Sequence, residues 1–113
     1  LPRDIPVTIL GVSSNTLVRD GGIPGVSIRL GRGFRQITVD GESITAGAGT
    51  PNLKLSNAAR DKAISGMEFL CGIPGALGGS IRMNAGAFER EIQDLVENVG
   101  ALSRSGEQVM LSA

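Results

Sequence analysis

The chain has no tryptophan, no tyrosine, no histidine, only three phenylalanines and a single cysteine, Cys71, in 113 residues. Each shortage excludes something. One cysteine cannot build an internal disulfide framework, and without histidine the commonest metal ligand and acid–base group is missing. With aromatics at 3%, Ile, Val, Leu and Ala must fill the core, and a hydrophobic content of 41% can supply it. Net charge is absent too: eleven basic residues cancel eleven acidic ones. Neither a basic face for nucleic acid nor attraction to an anionic membrane is therefore expected. No apolar run approaches the ~18 residues of a spanning helix and no signal peptide is recognisable, so the expectation is a soluble, cytoplasmic protein.

Glycine is what the chain has in excess, 17 residues, about twice the usual share of ~7%. The glycines are clustered, which favours tight turns and ligand loops over a flexible linker. The length predicts one domain, with a radius of gyration near ~13 Å. The start at Leu1 and the end at Ala113, in mid-pattern after a strand-like segment, predict a piece of a longer polypeptide.

Val7 and Ile9 followed by Gly11 suggest a strand entering a turn, Leu17–Val18 an extended segment, and residues 20–25 a turn cluster. Val26, Ile28 and Leu30 alternate with polar residues as in a half-buried strand. Residues 36–39 and 42–46 flank Asp-Gly as a hairpin, and 95–103 with 107–111 form another. Between them Thr50 can cap a helix that Pro51 begins, with Leu55, Ala58, Ala59 and Ala63 on one face and Gly66 as its stop. A second helix falls within 76–83 and a helical turn near 89–94, with Glu89, Arg90 and Glu91 on an exposed face. Strand pairs with isolated helices predict an α+β fold. Cys71 reads as a small buried hydrophobe.

Three segments carry candidate chemistry. Residues 10–15, LGVSSN, place glycine, two hydroxyls and an amide directly after a strand, a composition that can form a phosphate-binding nest, although a Ser- and Asn-rich turn looks the same. Residues 46–50, AGAGT, lead into the main helix and allow close approach of an anion to its end. Residues 72–87, GIPGALGGSIRMNAGA, are too long and ordered a small-residue series for a spacer. Ile73, Leu77, Ile81 and Met83 anchor it, and its glycines let backbone approach a flat ligand. Ser80 and Asn84 offer hydrogen bonds to a heterocycle edge. A G-x-G-x-x-G fingerprint is absent, since GRGFRQ at 31–36 lacks the last glycine.

In order, these segments resemble the UDP-N-acetylenolpyruvoylglucosamine reductase family. Its pattern is LGxGSNxLVRD, IPGVVIRL, GAG, GLEFLxGIPGxxGGAxxMNAGAYG and a hairpin ending near LSA. This chain has LGVSSNTLVRD at 10–20, IPGVSIRL at 23–30, GAG at 47–49 and GMEFLCGIPGALGGSIRMNAGAF at 66–88. The resemblance implies an FAD-binding region of the vanillyl-alcohol-oxidase/PCMH type, an α+β fold holding FAD noncovalently. It also implies a hydride passed from NADPH to UDP-N-acetylglucosamine enolpyruvate, giving UDP-N-acetylmuramate for peptidoglycan precursor synthesis. Carried over by motif, Gly11, Ser13, Ser14 and Asn15 would hold the pyrophosphate, and Gly47 and Gly49 would lie against the cofactor. Gly72, Ile73, Pro74, Gly75, Gly78, Gly79 and Ser80, with Asn84, Ala85, Gly86 and Ala87, would line the flavin side. Two departures stand out: Ser13 replaces a glycine, and Phe88-Glu89 replaces Tyr-Gly. The family's catalytic arginine, serine and glutamate, its N-terminal segment and its C-terminal substrate domain have no counterpart here, so no catalytic residue is assigned. Two alternatives stay open: another PCMH-type flavoenzyme (an oxidase or the flavin subunit of a hydroxylase), and a flavin-binding module without catalysis.

Overall fold

A computed structural model describes all 113 residues. Its strands pair two by two in four small sheets, β1(Val7–Leu10) with β2(Val26–Arg29), β3(Ile37–Asp40) with β4(Ser43–Ala46), β5(Gly86–Ala87) with β6(Arg90–Glu91), and β7(Asn98–Leu102) with β8(Gln108–Ser112). Two helices, α1(Asn52–Asp61) and α2(Leu77–Met83), lie between β4 and β5. This is the α+β arrangement that strand pairs with isolated helices predict.

β1 and β2 pair in parallel, Val7 opposite Val26 and Leu10 opposite Arg29. Period-two alternation is silent about the direction of a partner. A parallel pair needs a long crossover, and residues 11–25 supply it with turns and no strand at Leu17–Val18. The other three pairs are antiparallel. β3–β4 is the expected hairpin but turns one residue later, at Gly41-Glu42 rather than Asp40-Gly41, because Asp40 still pairs with Ser43. β7–β8 is closed by Ser103 and Gly106 backbone bonds.

Helix α1 starts one residue later and stops earlier than its sequence suggests. Pro51 is its N-cap, and Thr50 makes no capping bond but is fully buried. The helix ends in a Schellman motif: Ile64 N–H returns to Ala59 C=O (2.9 Å) and Ala63 N–H to Arg60 C=O (3.0 Å). Ala63 takes the left-handed position at φ 56°, so the chain turns before Gly66 is reached. Glu89–Glu91 belong to a β-hairpin rather than a helical face, and the helical turn shrinks to a 3₁₀ turn at Ile92–Asp94. Cys71 is exposed, not buried, because the 3₁₀ turn at Glu68–Gly72 directs Phe69 and Leu70 inward instead.

The core is a single cluster of Leu55, Phe69, Leu70, Ile73 and Ile92, with Ile44, Leu77, Ile81 and Leu95 packed around it. β1–β2 and β7–β8 lie outside it, and the latter hairpin is tied to the N-terminal segment by Arg104 on the Pro2 and Ile5 carbonyls. The radius of gyration is consequently 15.1 Å, above the ~13 Å expected of a sphere-like domain. The molecule exposes 8185 Å², against about 5,800 Å² for a folded monomer of this mass.

Candidate functional site

The three segments singled out by their small residues meet in space. Loop 46–51 and segment 72–84 are joined backbone to backbone: Gly78 N–H donates to Ala48 C=O (2.8 Å), Leu77 N–H to Thr50 C=O (2.8 Å) and Asn52 N–H to Gly75 C=O (3.0 Å). Pro51 and Ala76 form a β-bridge. Loop 11–15 rests on the same segment through longer contacts. Ser14 Oγ donates to Pro74 C=O at 3.4 Å, and Asn15 Nδ2 reaches Met83 Sδ at 3.5 Å. A Cβ on Gly11 would sit 3.5 Å from that of Ala76.

The glycines of this wall divide into two kinds. A side chain on Gly47 would run into Phe34 C=O, and the Gly47 N–H donates to Gln36 C=O (3.0 Å); Gly49 is pressed on Phe34 and Leu30. On Gly78 a Cβ would stand 2.9 Å from the Ala48 Cβ, and on Gly86 2.7 Å from Arg90 C=O. Gly72 lies under the Phe88 ring and Gly75, at φ 118°, against Ser14 Oγ. At Gly47, Gly49, Gly78 and Gly86 neighbouring backbone or short side chains leave little room for a Cβ, whereas at Gly72 and Gly75 the nearest atoms belong to the exposed side chains of Phe88 and Ser14. Gly79 is different: a Cβ there meets nothing within 4 Å, although a helix interior disfavours glycine by about 1 kcal/mol relative to alanine. Gly79 therefore lies on the open, exposed side of α2.

The polar members of the wall are largely engaged within the protein. Ser80 is buried, accepting from Asn52 Nδ2 (2.7 Å) and donating to Ala76 C=O (3.3 Å). Asn84 ends α2 at φ 46°. Its Nδ2 donates to Glu91 Oε2 (2.9 Å) and its Oδ1 accepts from Gln93 N–H (3.1 Å). That network holds Ala85, Gly86 and Ala87 against α2. By contrast, the Gly11–Asn15 backbone N–H groups have no acceptor within the chain, and Ser13 stands in the left-handed region at φ 58°. A run of unpaired amides, neighbouring hydroxyls and no carboxylate is a donor surface suited to anionic oxygens.

Sequence reasoning missed Asn52, which is fully buried and bonded to Ile73 C=O and Ser80. The signal was present: Asn52 shares the i, i+3, i+7 face of Leu55 and Ala59, where a polar residue needs a partner. No cluster of three or more potential metal-ligating side chains occurs, and no helix is long and apolar enough to cross a membrane.

Residues 2–112 match the FAD binding domain family. Together with the small-residue wall and the donor loop, that match defines the class: the chain belongs to the FAD binding domain family, which accords with the fold of PCMH type expected above. Its relatives are more particular. It is 53% identical over 112 residues to the UDP-N-acetylenolpyruvoylglucosamine reductase of Azorhizobium caulinodans, covering 99% of this chain and 36% of that protein. It is 51% identical over 106 residues to the reductase of the same name from Paramagnetospirillum magneticum, covering 94% and 34%. The crystal structure of UDP-N-acetylenolpyruvylglucosamine reductase from Thermus caldophilus superposes with a TM-score of 0.82 at 36% identity, covering 97% of this chain and 40% of that one. The chain thus spans little more than a third of the length of the curated relatives it matches.

Proposed function

We propose that this chain is the FAD-binding part of an NADPH-dependent cytoplasmic reductase that converts UDP-N-acetylglucosamine enolpyruvate to UDP-N-acetylmuramate. The observation that carries the reading is the meeting of loops 11–15 and 46–51 on one wall, residues 72–84, that keeps Gly79 open. The residues present fit FAD. Gly11, Ser13, Ser14 and Asn15 offer unpaired amides and hydroxyls for the pyrophosphate, and the glycine surface admits a flat ring system. Bound FAD would supply hydride transfer between NADPH and the enolpyruvyl ether.

The chain's own work is binding and orientation. Backbone bonds between Ala48 and Gly78 and between Thr50 and Leu77 fix the wall against α1. Neutral donors, rather than lysines, then hold the anionic oxygens without steering by net charge. Gly47, Gly49, Gly78 and Gly86 support the wall through its close internal packing. Stabilising the enolate and protonating it need an acid and a charged donor, and the reading places both in the remainder of the protein.

The test uses the intact protein. It should be yellow, release FAD on denaturation, and oxidise NADPH only when the enolpyruvyl sugar nucleotide is added. Replacing Gly79 with Val should abolish FAD uptake while shifting the unfolding temperature by no more than a few degrees. A colourless protein that takes up no added FAD would sink the reading.

A further inference from the structure

Asn52 sits in the first turn of α1 with none of its surface exposed. A carboxamide on a buried helix face is costly unless paired, and this one is paired to a single segment. Its Nδ2 donates to Ile73 C=O (3.1 Å) and to Ser80 Oγ (2.7 Å), while its backbone N–H donates to Gly75 C=O (3.0 Å). Ser80 extends the chain by donating to Ala76 C=O (3.3 Å). One residue of α1 therefore grips both ends and the middle of the wall. Residues 74–79 have little means of fixing themselves, because Pro74, Gly75, Ala76, Gly78 and Gly79 carry small or no side chains, and glycine is free to leave φ 118°.

The orientation of the amide is dictated. Ile73 C=O can only accept, so Nδ2 must face the wall and Oδ1 must face away. Oδ1 is then left buried without a partner, a position that stability alone disfavours. A leucine of similar volume would fill the site without an orphaned acceptor. The geometry points to a gain elsewhere: we propose that Asn52 is a positioning residue for the cofactor. Its carboxamide sets residues 73–80 in the conformation that receives FAD, and Ser80 acts through Asn52 rather than on the ligand. The proposal rests on the FAD reading above.

The experiment compares Asn52→Leu with Ala59→Gly, a control on the same buried helix face, in the intact protein. Asn52→Leu should raise the FAD Kd at least tenfold, read by flavin fluorescence. In the FAD-free protein it should speed hydrogen exchange at the Leu77, Gly78 and Ser80 amides at least tenfold, leaving β3–β4 amides unchanged. Ala59→Gly should lower the unfolding temperature yet keep the Kd within twofold. Where Asn52→Leu fails to fold, Asn52→Ala and Ser80→Ala form the test: the double variant should weaken FAD no more than Asn52→Ala alone. Multiplying effects would overturn the claim that Ser80 acts through Asn52. A Kd within twofold of wild type in Asn52→Leu, with unaltered wall exchange, would overturn the proposal while the FAD reading stands. A wild-type protein that takes up no FAD would overturn both.

Discussion

The middle of the chain and its flanks are built on different terms. Every buried residue falls between Gly49 and Ile92, whereas β1, β2, β7 and β8 contribute none. The flanks are nonetheless regular, with paired registers from Val7↔Val26 to Leu102↔Gln108. Ladder bonds replace bonds to water and contribute about 1 kcal/mol each at most, so regularity alone stabilises little. Burial is what the middle adds. The proposed cofactor wall lies where the two regimes meet, and its two sides inherit the difference. Loop 46–51 is fastened to it by bonds of 2.8–3.0 Å, while loop 11–15 rests on it through contacts of 3.4–3.5 Å. Loop 46–51 is thus joined to the wall through its backbone, whereas loop 11–15 touches it only through side chains.

The largest expected effect tests this contrast directly. Leu70 is fully buried and Leu102 is 70% exposed. Leu70→Ala should lower unfolding stability by about 3–5 kcal/mol in urea titrations, and Leu102→Ala by under about 0.5 kcal/mol. Equal losses would erase the distinction between block and flank.

A sharper form uses two adjacent residues of α2. On Gly78 a new methyl would collide with Ala48, at 2.9 Å from its Cβ and 3.1 Å from its carbonyl oxygen. Gly78→Ala should therefore destabilise by about 1–3 kcal/mol. On Gly79 the same methyl enters open space and improves helix propensity. Gly79→Ala should stabilise the FAD-free protein by about 0.5–1 kcal/mol and weaken FAD in a fluorescence titration. Opposite signs from neighbouring glycines would show that one is small for the fold and the other for the ligand. A stabilised Gly79→Ala protein with unchanged FAD affinity would remove Gly79 from the site.

Much of this was legible in the residues. Strand alternation located β2, the Asp-Gly turn signal located β3 and β4 to within a residue, and the order of the LGVSSN, AGAG and GIPG segments marked the loops that converge. What stayed hidden depends on partners distant in sequence. Alternation at Val26–Leu30 suggests a half-buried strand, yet Ile28 is 41% exposed because no core packs on β2, and alternation says nothing about β1 running parallel beside it. Glycine content cannot say that Gly78 is packed against Ala48 while Gly79 faces open space, since both are the same residue on the same turn. Thr50 looked like a cap because capping is local, yet its carbonyl is taken by Leu77 and its side chain is enclosed. The clamp at Asn52 needs Ile73 and Ser80 to be brought to it, and only the fold does that.

The smallest effect concerns the edge of the block. β5 and β6 pair Gly86 with Glu91 and Ala87 with Arg90, leaving Phe88 and Glu89 as a two-residue turn. Both stand in the left-handed region, at φ 52° and 62°, as a type I′ turn requires. Glycine or asparagine adopts that region readily, whereas a residue such as Glu loses about 1 kcal/mol there. The turn persists because its hairpin is held from outside: Asn84 and Gln93 bind the Glu91 carboxylate, and the Arg90 guanidinium lies 5.6 Å from the centre of the buried Phe69 ring. Glu89→Gly should relieve the strain but also loosen the unfolded chain, so the net gain should be about 0.5 kcal/mol. A rise of a few degrees in unfolding temperature would show it. FAD affinity should not move, because the residue that overlies the wall at Gly72 is Phe88. A lower unfolding temperature would instead mean that the Glu89 side chain, and not the backbone it strains, keeps the hairpin in place.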